Sequence, residues 1–286
     1  MLNTPVVLII FNRPDFAEAV FRVIAQARPK RLFVLADGPR SPEEAVRCAQ
    51  TRAVIKVDWP CDLTMDVSEV NLGCRYRCAG GFDMVFAETE TAIFLDDDCV
   101  PDLTFFRFCE EMLDRYRDDQ RVMCITGANY LGRWRRGWPS LSYHFSYFGS
   151  PWGWASWRRA WKYYDVTMQA WGHPTTKSWI RDVLADEEIY QFQARRFDFV
   201  YDDPTNRHSW DVPWHLAKML DAALTVVPAV NLIRNIGCLG GNSLPPTHHL
   251  ANMPTSPMAF PLRHPRTVAV DREYDRLHVQ RLAAPY

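Results

Sequence analysis

The sequence predicts an α/β protein, a mostly parallel, doubly wound sheet with helices on both faces and an aromatic-rich second half. Three observations carry this. Short apolar strand candidates recur over 6–10, 32–36, 63–67, 92–95 and 122–125, at roughly the thirty-residue pitch of a βαβ unit. The segments between them have helical periodicity. Ten of the eleven tryptophans lie between Trp134 and Trp214, so the chain changes character after the fifth strand. The expected division is one subdomain over 1–127 and a second over 128–286, within a single continuous domain.

Each element has a local reason. Val6-Val7-Leu8-Ile9-Ile10 is a continuous apolar run, as a buried parallel strand requires. Over 15–27, Phe16, Ala19, Val20, Val23, Ile24 and Ala27 share one helical face, and Asp15 and Glu18 have capping-box spacing. Ser41 and Glu44 repeat that spacing, with Pro42 at the first helical position. Cys74 and Cys78 are four apart on a third helix. Phe105, Phe106, Cys109, Met112, Leu113 and Tyr116 mark a fourth. In the second half, Trp154, Trp157 and Trp161 follow the i, i+3, i+7 pattern of a helical core stripe. A helix opens near Asp211 and runs toward Leu220. A short strand and loop follow over 227–237. Pro245, Pro246, Pro254, Pro257 and Pro261 predict an extended loop over 240–265. Beyond Arg266 the pattern carries little signal.

Composition excludes several classes. Lys plus Arg is 33 against 34 for Asp plus Glu, so no net charge argues for nucleic acid. No apolar run reaches the ~18 residues of a membrane span. The N-terminus lacks the basic stretch and small-residue cleavage site of a signal peptide. The eight cysteines lie mostly in apolar segments without a second closely spaced pair, which predicts reduced thiols, no zinc site and a cytoplasmic protein.

Asp96-Asp97-Asp98 directly follows the apolar run Thr91-Ala92-Ile93-Phe94-Leu95. Adjacent carboxylates raise one another's pKa and are costly unless a cation sits among them. A hard divalent ion, Mn²⁺ or Mg²⁺, suits carboxylate oxygens and keeps positions open for phosphates. The alternative is a solvated acidic loop. Ligands of such sheets bind at the carboxyl ends of the strands, and other polar motifs stand there too. They are Phe11-Asn12-Arg13-Pro14, Asp37-Gly38-Pro39 and Asn71-Leu72-Gly73. The first turn has no GxGxxG, and no phosphate-binding P-loop motif is present.

On these motifs the chain resembles, over about residues 5–250, the GT-A class of nucleotide-sugar glycosyltransferases. The likeness is to bacterial proteins related to the N-acetylglucosaminyltransferase I group and the family-2-like transferases. Asp96-Asp97-Asp98 looks like their DxD metal motif. The resemblance implies that Asp98 binds the metal and Asp96 the nucleotide, with Asp97 beside it. It implies that Phe11, Asn12, Arg13 and Asp37 hold base and ribose. Arg75 and Arg77, just after Asn71, are candidates for the diphosphate, since an arginine fork suits phosphate oxygens; the alternative is a pair of exposed helix arginines. Trp152-Gly153-Trp154 looks like the glycine-containing loop over the donor sugar, while Trp157 and Trp161 are expected in the core. His248, with His249 second, resembles the C-terminal histidine that closes onto the metal.

For proton transfer the candidate is Asp211, with Asp202 and Asp203 in reserve. A carboxylate in an aromatic, partly dry pocket is a suitable base. Trp210 stands where the class carries an acidic residue. The alternative for Asp211 is a helix cap. The expected protein is therefore an inverting, metal-dependent hexosyl- or N-acetylhexosaminyltransferase of polysaccharide biosynthesis. By resemblance its donor is a UDP-sugar and its acceptor a glycan, a lipid-linked saccharide or a protein, met peripherally if in a membrane. The alternatives are a sugar-nucleotide nucleotidyltransferase and a noncatalytic carbohydrate- or partner-binding module.

Overall fold

The computed structural model describes residues 1–137, 140–203, 205–206, 209–237 and 248–284. His208, Thr247 and the first part of the expected proline-rich loop lie outside them. In chain order the first half comprises β1 (Val6–Ile10), α1 (Pro14–Ala27), β2 (Arg31–Ala36), α2 (Pro42–Ala53), β3 (Asp62–Val67), α3 (Gly73–Glu88), β4 (Thr91–Asp96), β5 (Cys99–Pro101), α4 (Thr104–Arg115) and β6 (Val122–Thr126). The second half adds β7 (Tyr143–Ser146), β8 (Trp154–Trp157), α5 (Arg158–Trp161), α6 (Pro174–Leu184), α7 (Glu187–Tyr201), α8 (Asp211–Leu220), β9 (Leu224–Pro228), β10 (Ile233–Asn235) and α9 (Arg272–Ala283).

Eight strands form one sheet, in the order β3-β2-β1-β4-β8-β6-β9-β7. The β3-β2-β1-β4 and β6-β9 pairings are parallel; β8 is antiparallel to both its neighbours and β7 to β9. The sheet is thus mixed and mostly parallel. Strands from both halves of the chain share it, because β8 inserts between β4 and β6. A second, two-stranded ladder pairs β5 with β10. It ties the chain just after the aspartates to the segment 233–235.

The interior strands alternate between two cores. Leu8, Val34 and Leu95 face one, packed with α1 and α4; Val7, Phe33, Leu35 and Phe94 face the other, packed with α3. Being buried on both sides, these strands read as unbroken apolar runs.

Two local expectations need correction. Helix α1 starts at Pro14 with Arg13 as its cap residue, so Asp15 lies inside the first turn and caps nothing. Trp154 and Trp157 are not on a helix; they are the first and last residues of strand β8, and only Trp161 lies on the short α5. Strand alternation sends Trp154 to one core and Trp157 to the other. Ser41 does cap α2, accepting from the Glu44 amide at 3.3 Å. The segment past Arg266 ends in α9, which buries Tyr274, Asp275, His278 and Val279.

Candidate functional site

Strand β4 ends at Asp96, and the turn after it carries Asp97 and Asp98 at the carboxyl edge of the sheet. Asp97 and Asp98 are buried, whereas Asp96 is half-buried at the mouth. The cation these carboxylates call for is supplied in part by the protein. The Arg13 guanidinium donates to Asp97 through Nε (3.2 Å) and Nη2, and to Asp98 Oδ2 through Nη1 at 3.1 Å. Pro14 at the first helical position leaves Arg13 just outside α1, which places its side chain over the turn.

Burial, then Asp98 and Asp97, pushes the Asp96 carboxyl well above the ordinary range. Burial likewise raises Asp97 to about 6, against the opposing pull of Arg13. The Cys99 thiol is raised well above its usual value by burial and by Asp98, so it stays a neutral donor; Sγ lies 3.3 Å from Asp98 Oδ1. From the β5–β10 ladder, the Asn235 amide reaches the same Oδ1 at 3.3 Å. A side chain at position 237 would collide with Asp98 Oδ2, so glycine is what lets the backbone approach the carboxylate this closely.

Asp96, Asp98 and Cys99 bring one possible ligand atom each within 4.8 Å of one another. Two carboxylates with a protonated thiol behind them form an oxygen donor set, which fits Mn²⁺ or Mg²⁺ and does not fit a thiolate-seeking ion. His248 is not in this set. It is buried, accepts from the Leu250 amide at 3.1 Å and stacks on His249. Its turn is nevertheless tied to the site, since the Asn252 amide donates to the Asn235 carbonyl at 3.1 Å.

Several expected donor contacts have other duties. Asp37 is buried and accepts four hydrogen bonds, from the amides of Gly38, Leu72 and Gly73 and from the Asn71 side chain, at 2.9–3.0 Å. It caps α3, whose own cap residue Leu72 offers no acceptor. Four bonds fill its lone pairs, leaving none for a ribose.

Arg75 and Arg77 are buried rather than exposed. Arg77 holds the Ala36 carbonyl (3.2 Å) and Asp66 (2.7 Å), clamping the ends of β2 and β3. Arg75 donates to the carbonyls of Val166 and Asn206. Neither fork is presented to a diphosphate. Trp154 is buried and stacks on Phe94, with centroids 4.3 Å apart; its ring is core, not a sugar platform.

Other candidates stay at the mouth. Phe11 and Asn12 are half-buried, with the Asn12 amide on Glu44 at 2.6 Å and Arg40 over the Phe11 ring. Trp152 is half-buried and meets Tyr130 edge-on at 5.0 Å. Gly153 has φ +60°, and a side chain there would strike Ile233 of β10.

Asp211 is the first residue of α8, so it opens that helix as expected. Its carboxylate is half-buried and paired with Arg196 of α7 at 3.3 Å. It is therefore not an isolated acid in an apolar pocket. Its negative charge is the last and smallest of the causes that raise the Asp96 carboxyl. Of the reserve candidates, Asp203 binds the Thr205 amide and hydroxyl, and Asp202 ends α7.

Sequence reasoning missed the duty of Arg13 toward the aspartates, and it missed Asn235, Gly237 and Arg196. Asn235-Ile236-Gly237 gave a usable signal, a polar amide ending a short strand with a glycine two residues on. Arg196 gave none, because it sits mid-helix among other charges.

No family model matches the chain, and no curated protein matches it. Likenesses among solved structures are remote. A UDP-glucose pyrophosphorylase complexed with UDP-glucose aligns with TM-score 0.40 and 6% identity, over 84% of this chain and 96% of that one. The mannosyltransferase PcManGT from Pyrobaculum calidifontis, in complex with GDP-Man and Mn²⁺, gives 0.38 and 12%, over 85% and 77%. HddC from Yersinia pseudotuberculosis gives 0.34 and 10%, over 56% and 78%. At these scores none of the three bears on what this chain does. Among the described residues no helix is long and apolar enough to cross a membrane.

Proposed function

We propose that the chain is a metal-dependent glycosyltransferase of GT-A type. It moves a sugar from a nucleotide-diphosphate donor, UDP-linked by preference, to a glycan, lipid-linked or protein acceptor. The observation that carries this is the convergence of Asp96 and Asp98, with Cys99, at the carboxyl edge of a mostly parallel sheet.

In this reading residues 1–127 hold the donor and 128–286 the acceptor. Asp98 and Asp96 hold Mn²⁺ or Mg²⁺, which when bound neutralises charge on the departing nucleotide diphosphate. Phe11, Asn12, Asn71, Trp152 and Gly153 form the donor edge. Asp37, Arg75, Arg77, Asp97 and Trp154 build that edge without touching the donor. Asp211 takes the acceptor proton through Oδ1, its Oδ2 being held by Arg196, and the sugar is inverted in a single displacement.

Calorimetric titration with UDP and with GDP, each with and without Mn²⁺, tests the class. Micromolar binding of one nucleotide that disappears with chelator is expected, and Asp98→Asn should lose that metal dependence. Absence of metal-dependent binding to either nucleotide would move the noncatalytic module ahead. A nucleotidyltransferase would instead consume a nucleoside triphosphate and release pyrophosphate. Asp211→Asn should lower transfer by about 10²–10⁴ while leaving nucleotide affinity unchanged. Transfer at the wild-type rate in that variant removes Asp211 as the base.

A further inference from the structure

We infer that Arg13 is a built-in counter-ion that competes with the divalent metal for Asp98, so that metal alone binds weakly and loads together with the nucleotide. This rests on the metal-dependent reading above.

The geometry separates the two ends of the guanidinium. Nε and Nη2 form a fork on the two oxygens of Asp97, which is buried. Only Nη1 crosses to Asp98, at 3.1 Å from Oδ2. A fork on one carboxylate is the strong, directional part of such a contact; a single N–H on a second is the weaker part. Arg13 can therefore release Asp98 and keep Asp97.

Asp98 Oδ1 is meanwhile occupied by Asn235 and the Cys99 thiol, both neutral donors. Oδ2 lies against the Gly237 backbone, and it is the oxygen that Arg13 covers. A cation approaching Oδ2 meets a fixed positive charge within hydrogen-bonding distance of its ligand. It must either displace Nη1 or bind against that charge.

Without Arg13 the three aspartates would meet a divalent ion with no positive side chain bonded to them. With it, one positive charge is already among them. A phosphate-bearing ligand brings its own negative charge and its own oxygens to the ion, which offsets the cost of dislodging Nη1. Metal and nucleotide then bind as a linked pair, each raising affinity for the other by the same factor.

The probe is Mn²⁺ alone, titrated calorimetrically into the full chain. Arg13→Gln is expected to bind Mn²⁺ about tenfold more tightly than wild type or better. Arg13→Lys keeps the charge without the fork and should stay within about threefold of wild type. Equal or weaker Mn²⁺ binding in Arg13→Gln overturns the inference while leaving the metal site standing, provided that wild type binds Mn²⁺ with UDP or GDP. No Mn²⁺ binding by either protein, with or without nucleotide, overturns the metal reading itself.

Because Arg13→Gln leaves Asp97 without its partner, a measurement on wild type guards against a folding defect. In wild-type crystals soaked in Mn²⁺, Nη1 should have left Asp98 while Nε and Nη2 remain on Asp97. An unbroken Nη1–Asp98 contact beside a bound ion overturns the inference.

Discussion

At the residue scale, Asp37 shows how a polar group at a strand end can organise a site without touching its ligand. Its carboxylate collects three backbone amides and the Asn71 side chain, and it supplies the negative charge that the N-terminus of α3 favours. Asp37→Ala would leave the Leu72 and Gly73 amides without their acceptor. We expect a loss of about 2–4 kcal/mol in urea unfolding, with faster hydrogen exchange at those two amides. Unchanged exchange there would sink the capping role. The sequence marked Asp37 as a candidate because it stands at the carboxyl end of an apolar strand beside other polar motifs, although Asp-Gly-Pro is also an ordinary turn. It could not name the duty, because the partners lie 34–36 residues further along the chain. The same holds for Arg77, whose fork closes on Asp66 and Ala36. Asp96 and Asp98 were more legible, because three adjacent carboxylates impose an electrostatic demand in any surroundings.

At the element scale, the parallel strands were readable because each is buried on both faces and shows as an apolar run. Strand β8 was not. Trp154-Ala155-Ser156-Trp157 offers tryptophans three apart, which suits a helix, and the antiparallel slot between β4 and β6 overrides that spacing. The turn before β8 also connects the two sheets. Gly153 adopts φ +60°, accepts the Gly127 amide on its carbonyl at 2.7 Å and packs against Ile233 of β10, the strand that carries Asn235 onto Asp98. Gly153→Ala adds a methyl in a left-handed conformation against that side chain. A destabilisation of about 1–3 kcal/mol is expected, together with weaker Mn²⁺-dependent nucleotide binding as β10 shifts. Wild-type binding in a destabilised variant would separate the turn from the site.

At the scale of the whole molecule, the last helix closes the second half, and its burial of polar groups explains why its sequence pattern was weak. His278 of α9 lies between the rings of Tyr130 (5.1 Å) and Phe148 (5.6 Å), and burial lowers it from 6.5 to about 3. Three residues earlier on the same helix, burial raises Asp275 from 3.8 to about 7, opposed by its bonds to Ser146 and the Tyr147 amide. The two act on stability with opposite sign. For His278 the unfolded chain binds a proton below pH 6.5 that the folded chain refuses until about pH 3, so stability falls as pH drops through that window. For Asp275 the folded chain keeps a proton that the unfolded chain has lost above pH 3.8, so stability falls as pH rises from about 4 to about 7. In wild type the slopes partly cancel, and single variants should unmask them. Relative to wild type, His278→Phe should be more stable at pH 4 than at pH 7, by on the order of 3 kcal/mol between the two. Asp275→Asn should show the reverse, with a difference of similar order. Urea unfolding of the three proteins at pH 4, 5.5 and 7 reads both effects. Parallel stability curves would mean that neither group titrates differently in the folded chain, and the buried polar layer under α9 would then contribute no pH dependence.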